Sequence, residues 1–179
     1  QELDLEKLIA RILRVSIEML AGQAGIIALK LPDGWRVAAA HGIAPAFLSY
    51  LTPLLAEEKV RELDVIELNR MLKELTYTAS MGLLNGTGLP LSTHGQVIGV
   101  IFIFRNYPDV FTPNDRILLQ SFADQAAIAV FNAQLYGQIS YEKKRLDALL
   151  ESAADGILIL DGQLNIERCN EAFSALYGI

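Results

Sequence analysis

The chain has 179 residues, 52% of them hydrophobic, and a net charge of −6. That supplies the core of one well-packed domain and part of another, excludes a disordered chain, and argues against non-specific nucleic-acid binding. Its one cysteine, Cys169, excludes an internal disulfide scaffold or a thiolate zinc site and fits a reducing, cytoplasmic setting.

Residues 3–20 read as a helix in which Leu5, Leu8, Ile9, Ile12, Met19 and Leu20 share a face, while Leu13, Val15 and Ile17 point elsewhere. Gly22 and Gly25 end it. GIIALK (25–30), the turn Pro32-Asp33-Gly34 and WRVAAAHGI (35–43) then form an antiparallel hairpin, with Trp35 at the sheet edge. The stretch 44–80 has the weakest pattern. PAFLSYL suggests a short helix after Pro45, and Thr52-Pro53 reads as the cap of a second helix carrying LLAEEKVREL. DVIEL (64–68) fits a short strand or a continuing helix, since so short a run has no decisive period. NRMLKELTYTAS is helical, with Met71, Leu72 and Leu75 on one side.

LLNGTGLPL (83–91) reads as a glycine-broken strand, and Thr93-His94-Gly95-Gln96 as a tight turn that leaves His94 in solvent. Residues 97–104 are apolar and rich in β-branched side chains, which predicts a central strand covered on both faces. A polar loop, 105–110, leads to Thr112.

From Thr112 the sequence predicts one helix as far as about Ser152. Thr112 is an N-cap, Pro113 fits the first helical position, and Asp115 completes a capping box. At 1.5 Å per residue, about 40 residues reach roughly 60 Å, so the helix is expected to leave its own globule. Between 117 and 131 it is apolar around most of its circumference. Leu118, Phe122, Ala126, Ala129 and Ala133 form one stripe, and Ile128, Phe131 and Leu135 another, which predicts burial on nearly every side, one stripe covering a sheet and the other needing a second partner. A seam then runs Ile128, Asn132, Leu135, Ile139, Glu142, Leu146, Leu149 and Ala153, in alternating steps of four and three, the heptad rhythm of a coiled coil. Asn132 and Glu142 are polar interruptions that can fix register, and Gly137 weakens the helix by about 1 kcal/mol relative to Ala. The alternative is a single amphipathic helix folded back on its own domain.

GILIL (156–160), the turn Asp161-Gly162 and LNIERCN (164–170) form another hairpin, and EAFSALYGI begins a helix. Two strands and a helix start cannot bury a core, so this reads as the front of a further domain. No apolar run approaches membrane-spanning length, and the N-terminus is acidic and amphipathic rather than a signal peptide. Beginning at Gln1, the chain reads as a piece of a longer protein.

GLPLSTHGQVIGVIFIFRN, followed by FTPNDRILLQSFADQAAIAVFNAQLY, resembles the GAF domain family, and the resemblance extends over residues 1–137. LDALLESAADGILILDGQLNIERCNEAFSALYGI resembles the start of a PAS domain. The resemblance implies an α+β fold, a GAF/PAS-like antiparallel sheet flanked by helices with a long C-terminal helix. It divides the chain into a sensory domain (1–137), a signalling-helix linker (138–153) and a PAS fragment (154–179). It further implies a non-catalytic sensory module of a bacterial multidomain signal-transduction protein, with a histidine kinase or other output outside this chain. Such a module is expected to homodimerise through its N- and C-terminal helices and to lie in the cytoplasm, with no nucleic acid and no membrane segment. The alternative is a ligand-free dimerisation module.

The resemblance places a small-molecule pocket between the sheet and the 44–80 insert, where His41, Tyr50, Tyr77 and Thr78 are the candidate polar contacts. His41 could ligate a haem iron, although a lone histidine on a strand more often serves as a hydrogen-bonding residue. The cofactor is not fixed by the sequence. Covalent bilin attachment in the family needs a cysteine in the GAF portion, and none precedes Cys169. The dimer and signalling seam is assigned to Ile128, Asn132, Leu135, Ile139, Leu146 and Leu149. No metal-ligand spacing, phosphate loop or Ser-His-Asp set is present.

Overall fold

A computed structural model of the chain describes residues 2–79, 85–107 and 110–178, arranged as two compact units, 1–133 and 134–179. The first unit holds α1 (Glu2–Met19), β1 (Ala24–Leu31), β2 (Gly34–His41), α2 (Pro45–Leu55), α3 (Glu58–Arg61) and α4 (Val65–Ala79). It continues with β3 (Asn85–Thr93), β4 (Gln96–Arg105) and the opening turns of α5 (Pro113–Ser152). The strand expected over 83–91 begins within the described residues at Asn85; positions 83 and 84 lie outside them.

The four strands form an antiparallel sheet in the order β2-β1-β4-β3. Alternation along the inner strands sends Ile27, Leu29, Ile101 and Ile103 to one side, against Ile9, Leu13 and Ile17 of α1 and Leu119, Ala123 and Val130 of α5. Ile26, Ala28, Val100, Phe102 and Phe104 face the other side, under Leu51, Leu55, Val60, Leu68 and Leu72 of α2, α3 and α4. With helices on both faces, neither parity of residue from Gly99 to Phe104 meets water, which is why the strand reads as an apolar run, while Val97 at its start is exposed. Trp35, expected at the sheet edge, is on the edge strand β2 and fully buried.

Two tight turns fix the hairpins. Gly34 has φ +129°, and a Cβ there would stand 2.9 Å from Ala56 Cα. His94 and Gly95, at φ 48° and 76°, are the paired left-handed residues that a two-residue hairpin turn requires.

The helical insert departs from expectation at Thr52-Pro53. No new helix starts there. Thr52 Oγ1 donates back to the Leu48 carbonyl at 3.1 Å, and Pro53 sits in the last turn of α2, where its missing N–H removes a single intrahelical bond. DVIEL resolves as helix because the Asp64 carboxylate accepts the Glu67 N–H at 2.7 Å and caps α4.

α5 opens as expected. The Asp115 N–H donates to Thr112 Oγ1 at 3.1 Å, and the Asp115 carboxylate accepts the Thr112 N–H at 2.7 Å, a reciprocal capping box. The stripe expected against the sheet is buried or half-buried, and the stripe expected against a second partner is open at Ile128 and Leu135 in the single chain. Within the first unit the helix buries one stripe, Leu119, Ala123, Ala126, Ala127 and Val130, bordered by Leu118 and Phe122, while Ile117 and Ile128 stay exposed. A single helix on a sheet has one contact face, so its remaining apolar residues face solvent in one copy of the chain.

The second unit contains α5 from residue 134 onward, the hairpin β5 (Leu158–Leu160) and β6 (Ile166–Cys169), and α6 (Glu171–Tyr177). The expected turn at Asp161-Gly162 is held by the Asp161 carboxylate, which accepts the N–H groups of Gln163 and Asn165 at 2.8 and 2.9 Å. The left-handed position falls on Leu164, φ 67°, rather than on Gly162. Asn170 caps α6, and Gly178 ends it in the left-handed conformation. Among the described residues no helix is long and apolar enough to cross a membrane.

Candidate ligand face and helical shaft

The side of the sheet covered by α2, α3 and α4 is the candidate ligand face. Leu51, Leu55, Leu68, Leu72, Phe102 and Phe104 fill the layer between sheet and helices. The four expected polar contacts lie outside that layer. His41 ends β2 and is exposed, as are Tyr50 on α2 and Tyr77 on α4. Thr78 Oγ1 is occupied with the Glu74 carbonyl at 3.0 Å. Tyr77 and Thr78 are neighbours on α4; His41 and Tyr50 stand on other elements, and no hydrogen bond or ring contact among the described residues joins the four. Among the described residues, two buried polar atoms on this side lack hydrogen-bond partners, Trp35 Nε1 and Asn69 Oδ1. Sequence pattern gave no sign of Asn69, which sits one position past the apolar Leu68 in an otherwise charged stretch of α4.

The opposite side carries the shaft. The seam residues Ile128, Leu135, Ile139, Leu146 and Leu149 are all exposed, with Ile139 63% accessible, and Asn132 is exposed beside them. The His94 ring is exposed yet rests 4.7 Å from the Phe131 ring of α5, so the β3–β4 turn touches the helix.

Arg105, expected in a polar loop, instead closes β4 and is 6% exposed. Its Nε and one terminal nitrogen donate to the Leu20 carbonyl, just past α1, at 3.0 and 2.6 Å. The guanidinium also lies 3.4 Å from the Asp115 carboxylate and 3.9 Å from the centre of the Phe111 ring. Asp115 titrates below the ordinary carboxylate range, chiefly because the Thr112 N–H bonds its charged form, with the Thr112 hydroxyl and Arg105 adding to the effect against the opposing cost of burial.

The second unit has its own fastening. Asn170 is 2% exposed and uses all four of its amide valences. Its Nδ2 donates to the carbonyls of Leu150 at 3.0 Å and Asp155 at 2.9 Å; its Oδ1 accepts the N–H of Ile157 at 2.7 Å and of Phe173 at 3.0 Å. Arg168 on β6 pairs with Asp147 and Glu151, one turn apart on α5.

An antiparallel sheet between two helical layers, drawn out into a 40-residue helix that begins as one of those layers, defines a domain of the GAF type. The GAF family model matches residues 4–130, and the chain belongs to the GAF domain family. A PAS domain model matches residues 144–179. No curated protein matches the chain.

Solved structures share the fold at low identity. A GAF domain/HD domain protein from Geobacter sulfurreducens is 19% identical, with a TM-score of 0.54, covering 74% of this chain and 95% of its own. The blue-light absorbing form of the PixJ GAF domain from Thermosynechococcus elongatus is 14% identical, with a TM-score of 0.51, covering 79% of this chain and 94% of its own. Residues 122 to 287 of a methyl-accepting chemotaxis protein are 14% identical, with a TM-score of 0.50, covering 74% of this chain and 92% of their own.

Proposed function

We propose that the chain is the sensory and transmitting segment of a multidomain bacterial signalling protein, non-catalytic in itself and cytoplasmic. In this reading 1–137 receives the signal, 138–153 carries it and 154–179 opens the PAS domain that takes it up, ahead of an output such as a histidine kinase. The carrying observation is α5 itself. The helix that buries Leu119 to Val130 against the sheet continues unbroken to Ser152 and presents exposed Ile128, Leu135, Ile139, Leu146 and Leu149 at heptad spacing. A second copy of the chain supplies the partner for that stripe and for exposed Leu8 and Met19 on α1. A ligand acting on the sheet's other face shifts the shaft only as far as it binds two states unequally.

Sedimentation at micromolar concentration and cysteine crosslinking at Leu135 and Ile139 test this. A dimer that crosslinks at both positions supports it; a monomer that crosslinks at neither removes the transmission route. A second reading, a dimerisation module with no ligand, is favoured by the filled layer beneath α2 and α4. Native mass spectrometry of the purified chain separates the two by the presence or absence of a retained small molecule.

A further inference from the structure

The last two turns of α5 present two faces. Successive helical residues turn by about 100°, so Asp147 and Glu151 lie roughly 150° around the helix from Leu146 and Leu149. The face carrying Leu146 and Leu149 is open, at 57% and 59% exposed. The face carrying Asp147 and Glu151 is taken by the hairpin. Arg168 on β6 reaches Asp147 with one terminal nitrogen and Glu151, at 3.8 Å, with the other. The Glu151 carboxylate also accepts the N–H of Glu171, the first residue of α6, at 3.1 Å.

These contacts differ in what they can fix. Asn170 reaches α5 only at the Leu150 carbonyl, and its other bonds fall on Asp155, Ile157 and Phe173. The Leu150 carbonyl and the Glu151 carboxylate belong to adjacent residues in the final turn, so together they form a pivot. Asp147 stands one turn earlier, and Arg168 is the residue that reaches it. A planar guanidinium with two nitrogens committed to two carboxylates accepts one orientation, where a single ammonium would accept many. The three side chains are 34%, 36% and 48% exposed, and ion pairs so open add little to stability. What this one supplies is direction.

We propose that Arg168 is a positioning residue. It fixes the hairpin of residues 158–169 at one azimuth on α5, so that the face carrying Leu146 and Leu149 stays free for a second copy and a turn of the helix is passed to the hairpin. The use of the free face rests on the shaft reading above, whereas the clasp itself lies within one chain. Without Arg168 the hairpin keeps its fold through Asn170 but swivels on the final turn, and rotation of the helix is lost at that joint.

Spin labels on cysteines placed at Tyr141 and Gln163 read the distance from helix to hairpin turn, in a parent chain carrying Cys169→Ser. The doubly labelled chain is diluted into an excess of unlabelled chain, so that only distances within one copy count. The parent is expected to give one narrow distance. Arg168→Ala is expected to lose it, and Asp147→Arg combined with Arg168→Asp to restore it. Exchange of the Ile157 and Phe173 amides is expected to stay unchanged in Arg168→Ala, since Asn170 still holds both. A narrow distance kept in Arg168→Ala overturns the proposal, and so does a broad one in the charge-swapped chain. Faster exchange at both amides alongside the broadening shows Arg168 holding the fold rather than aiming it, which also overturns the proposal. A salt titration of the parent chain serves where a variant does not fold. At about 1 M, where the screening length is about 3 Å, the narrow distance is expected to broaden, and one that does not move overturns the proposal. Absence of crosslinking at Leu135 and Ile139 with the narrow distance kept removes the shaft reading and leaves the clasp standing.

Discussion

The Arg105 guanidinium holds the Leu20 carbonyl with two hydrogen bonds, at 3.0 and 2.6 Å, across 85 residues of sequence. The same guanidinium faces Asp115 in the capping box of α5. One buried cation thus ties the exit of α1 to the entry of α5, the two helices on the shaft side of the sheet. Replacing it with an apolar residue leaves the Leu20 carbonyl and the Asp115 carboxylate short of a donor. Arg105→Met is expected to cost about 1–3 kcal/mol, chiefly because the buried Leu20 carbonyl loses both of its donors. Thermal or urea unfolding followed by the fluorescence of Trp35, the chain's single tryptophan, measures it.

The capping box makes a smaller and pH-dependent contribution. Thr112→Ala removes the hydroxyl that accepts the Asp115 N–H and is expected to cost about 1 kcal/mol. The folded-state pKa of Asp115 is depressed, so its contribution is complete above the unfolded carboxylate pKa of about 3.9 and is lost as pH falls through the lower folded value. Wild type and Asp115→Asn should therefore differ by a constant amount from neutrality down to about pH 4, then converge in more acidic solution.

Asn170 should behave as an all-or-none fastening in the second unit. Asn170→Ala releases the N–H groups of Ile157 and Phe173 together, along with the Leu150 and Asp155 carbonyls. Hydrogen exchange at those two amides is expected to rise by a common factor, on the order of tenfold to a hundredfold, for a loss of about 1–3 kcal/mol. Asn170→Asp should be worse than Ala, because it turns acceptor oxygens toward two carbonyls.

Leu164 offers a gain. It is 79% exposed with φ 67°, so its side chain is little buried while its backbone is strained. Leu164→Gly is expected to stabilise the hairpin of residues 158–169 by about 0.5–1 kcal/mol, the relief of the left-handed penalty less the added entropy of the unfolded chain. Slower exchange of the Asn165 amide is the readout.

Period and punctuation revealed the layers of this fold. The apolar run 97–104 pointed to a central, doubly covered strand, and Thr112-Pro113 with Asp115 to the start of a helix. They misled at Thr52-Pro53, where a cap-like pair sits inside a last helical turn that tolerates it. Along 117–131 composition measures how much apolar surface exists but not which copy of the chain covers it. The site was less legible for a plain reason. Arg105 acts through the carbonyl and the ring that tertiary packing brings to it, and the residue does not carry that neighbourhood in its local sequence. The tyrosines and His41, chosen for their chemistry, are exposed.

Gly137 stands inside the 40-residue helix with open space on its side-chain face, so a methyl group added there would touch nothing. Gly137→Ala therefore changes the cost of keeping that turn wound, by about 1 kcal/mol, and leaves every tertiary contact alone. The residue is a soft spot whose stiffness can be tuned without changing any side-chain contact. If torsion travels along the rod, replacing this one hydrogen should sharpen the response without altering what is sensed.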